Sequence, residues 1–156
     1  MERKIIAFIQ ALVGFEWFMA GVEKLKPGHA EYTKDFVKSV GYFASKNPNS
    51  SYKAFLVERV IPAKETFAYI IPWGEFLAGL GLLVGGTLLF FGKDSKFAKY
   101  ASVGAILGSL FMNVNFYLAA SWTSISTKSL NILMIGLEIA LLVFWLKPRY
   151  KDKKKK

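Results

Sequence analysis

The chain has 156 residues, 53% of them hydrophobic, a mean hydropathy of +0.31, and a formal net charge of +10 from 21 Lys+Arg against 11 Asp+Glu. That is the length of one domain, and a soluble basic domain of this size, a nucleic-acid binder included, seldom carries so much apolar surface. The lysines and the apolar residues must therefore be segregated, and no nucleic-acid partner is expected. With no cysteine and a single histidine, the chain alone cannot hold a disulfide, a zinc thiolate site, a cysteine-bound iron–sulfur cluster or a bis-histidine haem. No metal site is expected.

Charges divide the sequence into four apolar runs. Residues 5–22 are interrupted only by Glu16, residues 67–92 only by Glu75 and residues 129–146 only by Glu138, while residues 100–127 carry no charge. Each run approaches the ~20 residues that cross ~30 Å of hydrocarbon as a helix, and lipid offers the backbone no partners outside a helix or a closed barrel. The expectation is an all-α membrane protein, a single four-helix domain over 1–156 with spans at about 5–24, 67–92, 99–120 and 129–147. A long amphipathic loop lies at 27–65 and a basic tail at 148–156. Met-Glu-Arg-Lys before an apolar core imitates a secretory signal, but the run ends in Gly21-Val22-Glu23-Lys24 without a clean small-x-small cleavage site, so it reads as a retained span.

Four spans put both termini on one side. Arg3, Lys4, Lys93, Lys96, Lys99, Lys147, Arg149, Lys151 and the run Lys153, Lys154, Lys155 and Lys156 all lie on that side, close to helix ends. This density predicts cytoplasmic termini in a plasma-membrane protein, with the lysine tail against anionic lipid headgroups. The segment 27–63 then faces outward. In it Tyr32, Phe36, Val40 and Phe43 recur at helical spacing with Lys34, Lys38 and Lys46 between them. Phe55, Val57, Val60 and Ile61 form a second short amphipathic piece beyond a turn at Asn47-Pro48-Asn49-Ser50. The pattern predicts interfacial helices capping the bundle.

Ionisable side chains within spans face a bundle interior or a wet cavity. With the predicted topology Glu16, Lys24, Trp73, Glu75, Asn113, Asn115, Tyr117 and Asn131 all fall in the outer half of the membrane, with Glu138 deeper. That convergence points to a site beneath the amphipathic loop, where Trp17 and Tyr117 could stack on a flat ring and Lys24 could act as a counter-ion. Asparagines in spans also serve simply as interhelical hydrogen-bond donors. Gly81-x-x-x-Gly85 and Gly104-x-x-x-Gly108 read as close-packing helix faces, Trp73, Trp122 and Trp145 as interface-belt residues, and His29 as a solvated loop residue.

At these residues the chain resembles the DoxX-type membrane proteins. Gly21-Val22-Glu23-Lys24-Leu25 is similar to the Gly-x-x-Lys-Leu end of that family's first helix. The run from Glu75 through Gly79 and Gly81 to Gly85 is similar to its second-helix pattern. Met112-Asn113-Val114-Asn115-Phe116-Tyr117-Leu118-Ala119-Ala120 is similar to the Met-Asn-x-Asn-Phe-x-Leu-Ala-Gly segment of its third, departing at Ala120. The family includes DoxD, the small membrane subunit of thiosulfate:quinone oxidoreductase. The resemblance implies electrons passed from thiosulfate to a membrane quinone bound as substrate, with a second subunit or a larger membrane complex as partner. On that implication Glu75 and Glu16 handle protons, Asn113 and Asn115 meet a quinone carbonyl, Trp73, Trp17 and Tyr117 lie against the ring, and Lys24 with Lys26 and His29 attracts the anion. Two other classes compete with this one. One is a non-catalytic subunit of a respiratory complex such as a terminal quinol oxidase. The other is a small transporter, for which the few polar residues give little support.

Overall fold

A computed structural model describes residues 1–93 and 95–147; the predicted basic tail at 148–156 lies outside them. Among the described residues the chain is helical and free of strands. It runs through α1 (Glu2–Leu25), α2 (His29–Lys46), α3 (Ser50–Phe55), a π-helical turn (Leu56–Val60), α4 (Lys64–Phe90), α5 (Lys96–Ala120) and α6 (Ile125–Leu146). Four of these, α1, α4, α5 and α6, are long and apolar enough to cross a membrane, as the four runs predict.

The helix ends differ from the expected span limits because capping, not hydropathy, sets them. α5 begins at Lys96 because the Ser95 side chain accepts from the Ala98 amide at 3.1 Å. α6 begins at Ile125, four residues before the predicted start at 129, because Ser124 Oγ accepts from the Thr127 amide at 3.0 Å. Such caps satisfy amides that the first helical turn leaves without partners. α4 stops at Phe90, two residues before Gly92, whose φ of 70° suits a residue without a Cβ.

α1 lies along α4, α4 against α5 and α5 against α6. The α1–α4 contact is close because glycines remove the side chains that would separate the backbones. A Cβ on Gly21 would stand 2.5 Å from the Phe76 amide nitrogen, one on Gly79 2.2 Å from that of Phe18, and one on Gly14 2.8 Å from Leu82 Cβ. On α4's other side, Gly81 and Gly85 meet Ala105 and Ser102 of α5, so this glycine pair packs as expected. The second pair does not. A Cβ on Gly104 or Gly108 would meet nothing within 4 Å; both border an open groove of about 300 Å³ with Gly74, Leu77 and Ala101. Leu82, Leu89, Ile106, Leu141 and Trp145 fill the interior.

α2, α3 and the π turn close one end of the bundle around a second small core of Phe36, Val40, Ala44, Leu56, Val60 and Ala68. α2 buries Thr33, Phe36, Val40 and Ala44 and exposes Lys34, Lys38 and Lys46, a stripe close to the expected one. In the second piece the buried residues are Leu56 and Val60, whereas the expected Phe55 and Val57 are exposed. The wider π turn, closed by the Ile61 amide on Leu56 O at 2.9 Å, rotates the face. The cap is pinned to α5: Asn47 Nδ2 donates to Leu118 O at 2.9 Å, and the Tyr52 hydroxyl donates to Asn115, 3.0 Å from its carbonyl oxygen and 3.2 Å from Oδ1.

Two alanine substitutions separate the glycines that pack from those that do not. Gly79→Ala drives a methyl into the α1 backbone and should cost about 1–3 kcal/mol. Gly104→Ala should be neutral or stabilising by up to ~1 kcal/mol through helix propensity. Thermal unfolding in detergent, followed by circular dichroism, reads both; equal effects would contradict the packing.

Candidate functional site: a buried ion pair beneath the cap

The inward face of α1 presents Gln10, Trp17 and Lys24. A spacing of seven is two helical turns, so the three stand ~10 Å apart along one line. Each holds a polar group on another helix. At the end away from the cap, Gln10 Nε2 donates to Leu82 O and to Ser102 Oγ, both at 2.9 Å, and Gln10 Oε1 accepts from Trp145 Nε1 at 2.7 Å. One fully buried amide thus joins all four long helices. In the middle, both oxygens of the fully buried Glu138 are used: Oε1 accepts from Trp17 Nε1 at 2.8 Å and Oε2 from Asn113 Nδ2 at 3.1 Å.

The third level, under the cap, is different. Lys24 Nζ donates to Glu75 Oε1 in an ion pair, and the Glu75 side chain is 1% exposed. Its other oxygen, Oε2, is buried and accepts no hydrogen bond. The Lys24 side chain is 32% exposed and forms part of the wall of a cavity of about 190 Å³ with His29, Tyr32, Tyr69, Pro72 and Trp73. Pro72, inside α4, has no N–H to donate to the Ala68 carbonyl, and Ala68 lines the same cavity. Burial, and then the negative charge of Glu75, pushes the Tyr32 hydroxyl well above its ordinary pKa, so Tyr32 is a persistent neutral donor. Phe116 connects the second and third levels, its ring 6.1 Å from that of Trp17 and 5.4 Å from Lys24 Nζ.

The structure therefore divides the expected site in two. Lys24, Glu75 and Trp73 share the capped cavity, whereas Trp17 and Asn113 are committed to Glu138. Asn115 serves the cap, receiving Tyr52 and donating to Phe111 O at 2.8 Å. Tyr117 is half-buried and belongs to neither group. Asn131 makes a local bond to Thr127 O at 2.8 Å. Glu16 is a correction: expected beside Glu75, it is exposed on the outside of α1. One residue is 100° of helix, so a residue adjacent to an inward-facing Trp17 turns away from the bundle. His29 opens α2 rather than a loop, its ring edge-on to Tyr69 with centroids 5.9 Å apart and its Nε2 3.2 Å from Glu65 Oε2. Gln10, with its three interhelical hydrogen bonds, and Tyr32 and Tyr69, which line the cavity, were not among the expected site residues. The seven-residue spacing that Gln10 shares with Trp17 and Lys24 was the available signal.

Chemically, the cavity offers an ammonium, a carboxylate oxygen with spare acceptor capacity just behind it, a phenol donor and flat aromatic walls. Its volume is below the ~300–1,000 Å³ of pockets that enclose drug-sized molecules, which limits it to one ring or a small polyatomic ion. No protein-family model, curated protein or solved structure matches the chain.

Two outcomes test this geometry. Lys24→Met leaves a buried carboxylate without its cation and should cost about 3–5 kcal/mol, most of it restored by adding Glu75→Leu; chemical unfolding of the single and double variants measures this. Burial pushes Tyr52 up to about 12, against ~10 in an unfolded chain. The folded state holds that proton more tightly, so the Tyr52 contribution to cap docking is complete below pH ~10 and is lost as pH rises through about 12. In a difference ultraviolet titration, the tyrosinate signal that Tyr52→Phe removes should appear near pH 12, not near 10.

Proposed function

We propose that the chain is an integral plasma-membrane subunit of a quinone-linked oxidoreductase, DoxX-type and similar in role to DoxD, with its quinone site in the cavity beneath the cap. In this reading both termini are cytoplasmic, and α2 and α3 lie at the outer interface with their lysines toward lipid headgroups. The observation that carries it is Glu75 Oε2, a buried acceptor with no partner, next to a cavity walled by Tyr32, Tyr69 and Trp73. Buried polar groups are otherwise satisfied, and exceptions concentrate where chemistry occurs.

Reduction of a quinone to its quinol consumes two electrons and two protons, and oxidation of two thiosulfates to one tetrathionate releases two electrons. This chain has neither a thiol nor a histidine pair, so the electrons arrive through a partner subunit. Its own residues bind and protonate. Lys24 and the Tyr32 hydroxyl are donors for a carbonyl oxygen, Trp73 and Tyr69 supply ring faces, and the Glu75 carboxylate takes up a proton at its free Oε2 and passes it to the reduced ring. The Lys24 ammonium also draws anions toward the mouth. Glu16 has no part in this assignment, and Asn115 contributes only by holding the cap.

Decylubiquinone, added to the purified chain in nanodiscs, should quench the tryptophan fluorescence, and Trp73→Phe should remove most of that quenching. With a thiosulfate-oxidising partner present, Glu75→Gln should lower decylubiquinone reduction by at least ~100-fold, the scale of a lost proton donor. Absence of quenching, or unchanged turnover in Glu75→Gln, would overturn the assignment.

A further inference from the structure

Glu16 is the one ionisable side chain on the outward face of a long apolar helix that lies far from both helix ends among the described residues. It is exposed between Leu12 and Phe15 on one side and half-buried Met19 on the other. At 1.5 Å per residue it stands ~16 Å above Ile5 and ~13 Å below Leu25, near the middle of a ~30 Å hydrocarbon layer. It is thus level with the Trp17–Glu138 bond but faces the other way. A glutamate side chain is too short to reach either interface from there, and a mid-bilayer ionisable group facing lipid carries a cost that a matched partner removes.

We infer that this face of α1 binds a transmembrane helix of a different protein, one that places an arginine or lysine at mid-bilayer depth against Glu16. The inference rests on the membrane placement of α1 and not on the quinone assignment. Charge complementarity selects the partner. A second copy of this chain would have to supply the matching cation from its own surface at the same depth. The other cations on the long apolar helices, Arg3, Lys4, Lys64, Lys96, Lys99 and Lys128, lie near helix ends, and Lys24 is engaged by Glu75. The apolar residues beside Glu16 recur at the three-and-four spacing of a helix-packing seam: Ile5, Phe8, Leu12 and Phe15 are each more than half exposed. A span laid along this seam covers the carboxylate from the side.

The chain has no cysteine, so single introduced thiols give clean reporters. The full chain labelled at Ser39→Cys is reconstituted in phosphatidylcholine vesicles with a leucine-rich single-span peptide bearing one central arginine, or with its all-leucine counterpart. Energy transfer reads association. The arginine peptide should bind the chain more tightly than the leucine peptide does, and Glu16→Gln should weaken that binding roughly five- to thirtyfold, the range of interhelical polar contacts. Equal binding of the two peptides, or binding unaffected by Glu16→Gln, would overturn the proposal. So would efficient disulfide-linked dimers of Phe15→Cys in peptide-free vesicles, which would place a second copy on the face. Release of the chain by alkaline carbonate would instead refute the membrane placement itself, and the proposal with it.

Discussion

A polar group enclosed by apolar helices must find its partner within the protein, and in this bundle α1 provides one at three successive levels. Gln10, Trp17 and Lys24 recur every seven residues on the same face, and each binds a group on another helix. Gly14 and Gly21 keep the same period, standing between the polar positions where the α4 backbone comes closest. The two patterns depend on each other. Without the glycines α1 would stand further from α4, and Lys24 could not reach Glu75. Without the polar partners Glu75 would be an uncompensated buried charge, which costs several kcal/mol, and Glu138 a buried carboxyl without hydrogen bonds.

The three levels are chemically unequal, and the inequality locates the site. At Gln10 and at Glu138 each polar side-chain atom of the residue has a partner, so these levels hold helices together. At Glu75 one oxygen is engaged and the other is not, and a cavity lies against the polar pair. An unmet acceptor beside an open volume is a different thing from a concentration of polar residues. The Glu138 level is richer in polar contacts, yet both of its carboxyl oxygens are already engaged.

Hydropathy was enough for the four long helices, because runs broken by one carboxylate each have few other ways to bury themselves. It also marked Lys24 as a possible counter-ion, without choosing between Glu16 and Glu75 as its partner. What it could not supply was direction around each helix. Asn113 and Asn115, two residues apart, diverge to Glu138 and to the cap. Glu16 and Trp17, adjacent in sequence, face opposite ways. Gln10 escaped notice because uncharged residues do not interrupt a hydropathy run, although it joins more helices than any carboxylate. Gly104 and Gly108 show the converse: the small-residue spacing is present, but no helix among the described residues comes to fill it.

The cap explains why the cavity exists at that level. Its far edge is fixed to α5 through Asn47 and Tyr52, while its near edge, the start of α2, lays His29 and Tyr32 across α4. Pro72 sits on α4 directly below, where the side chain of a regular helix former would otherwise pack and where its missing N–H leaves the Ala68 carbonyl short of its usual donor. The cavity is lined by α1, α2 and α4, and its rings on α4 are exposed, Tyr69 by 58% and Trp73 by 39%. Lys24, 32% exposed, lines the same cavity and stands between it and the Glu75 carboxylate, 1% exposed, so an entering molecule meets ring faces and the ammonium before the carboxylate. On the proposed reading the rim rings hold a flat ring while the ammonium and the carboxylate behind it meet the ring's polar atom.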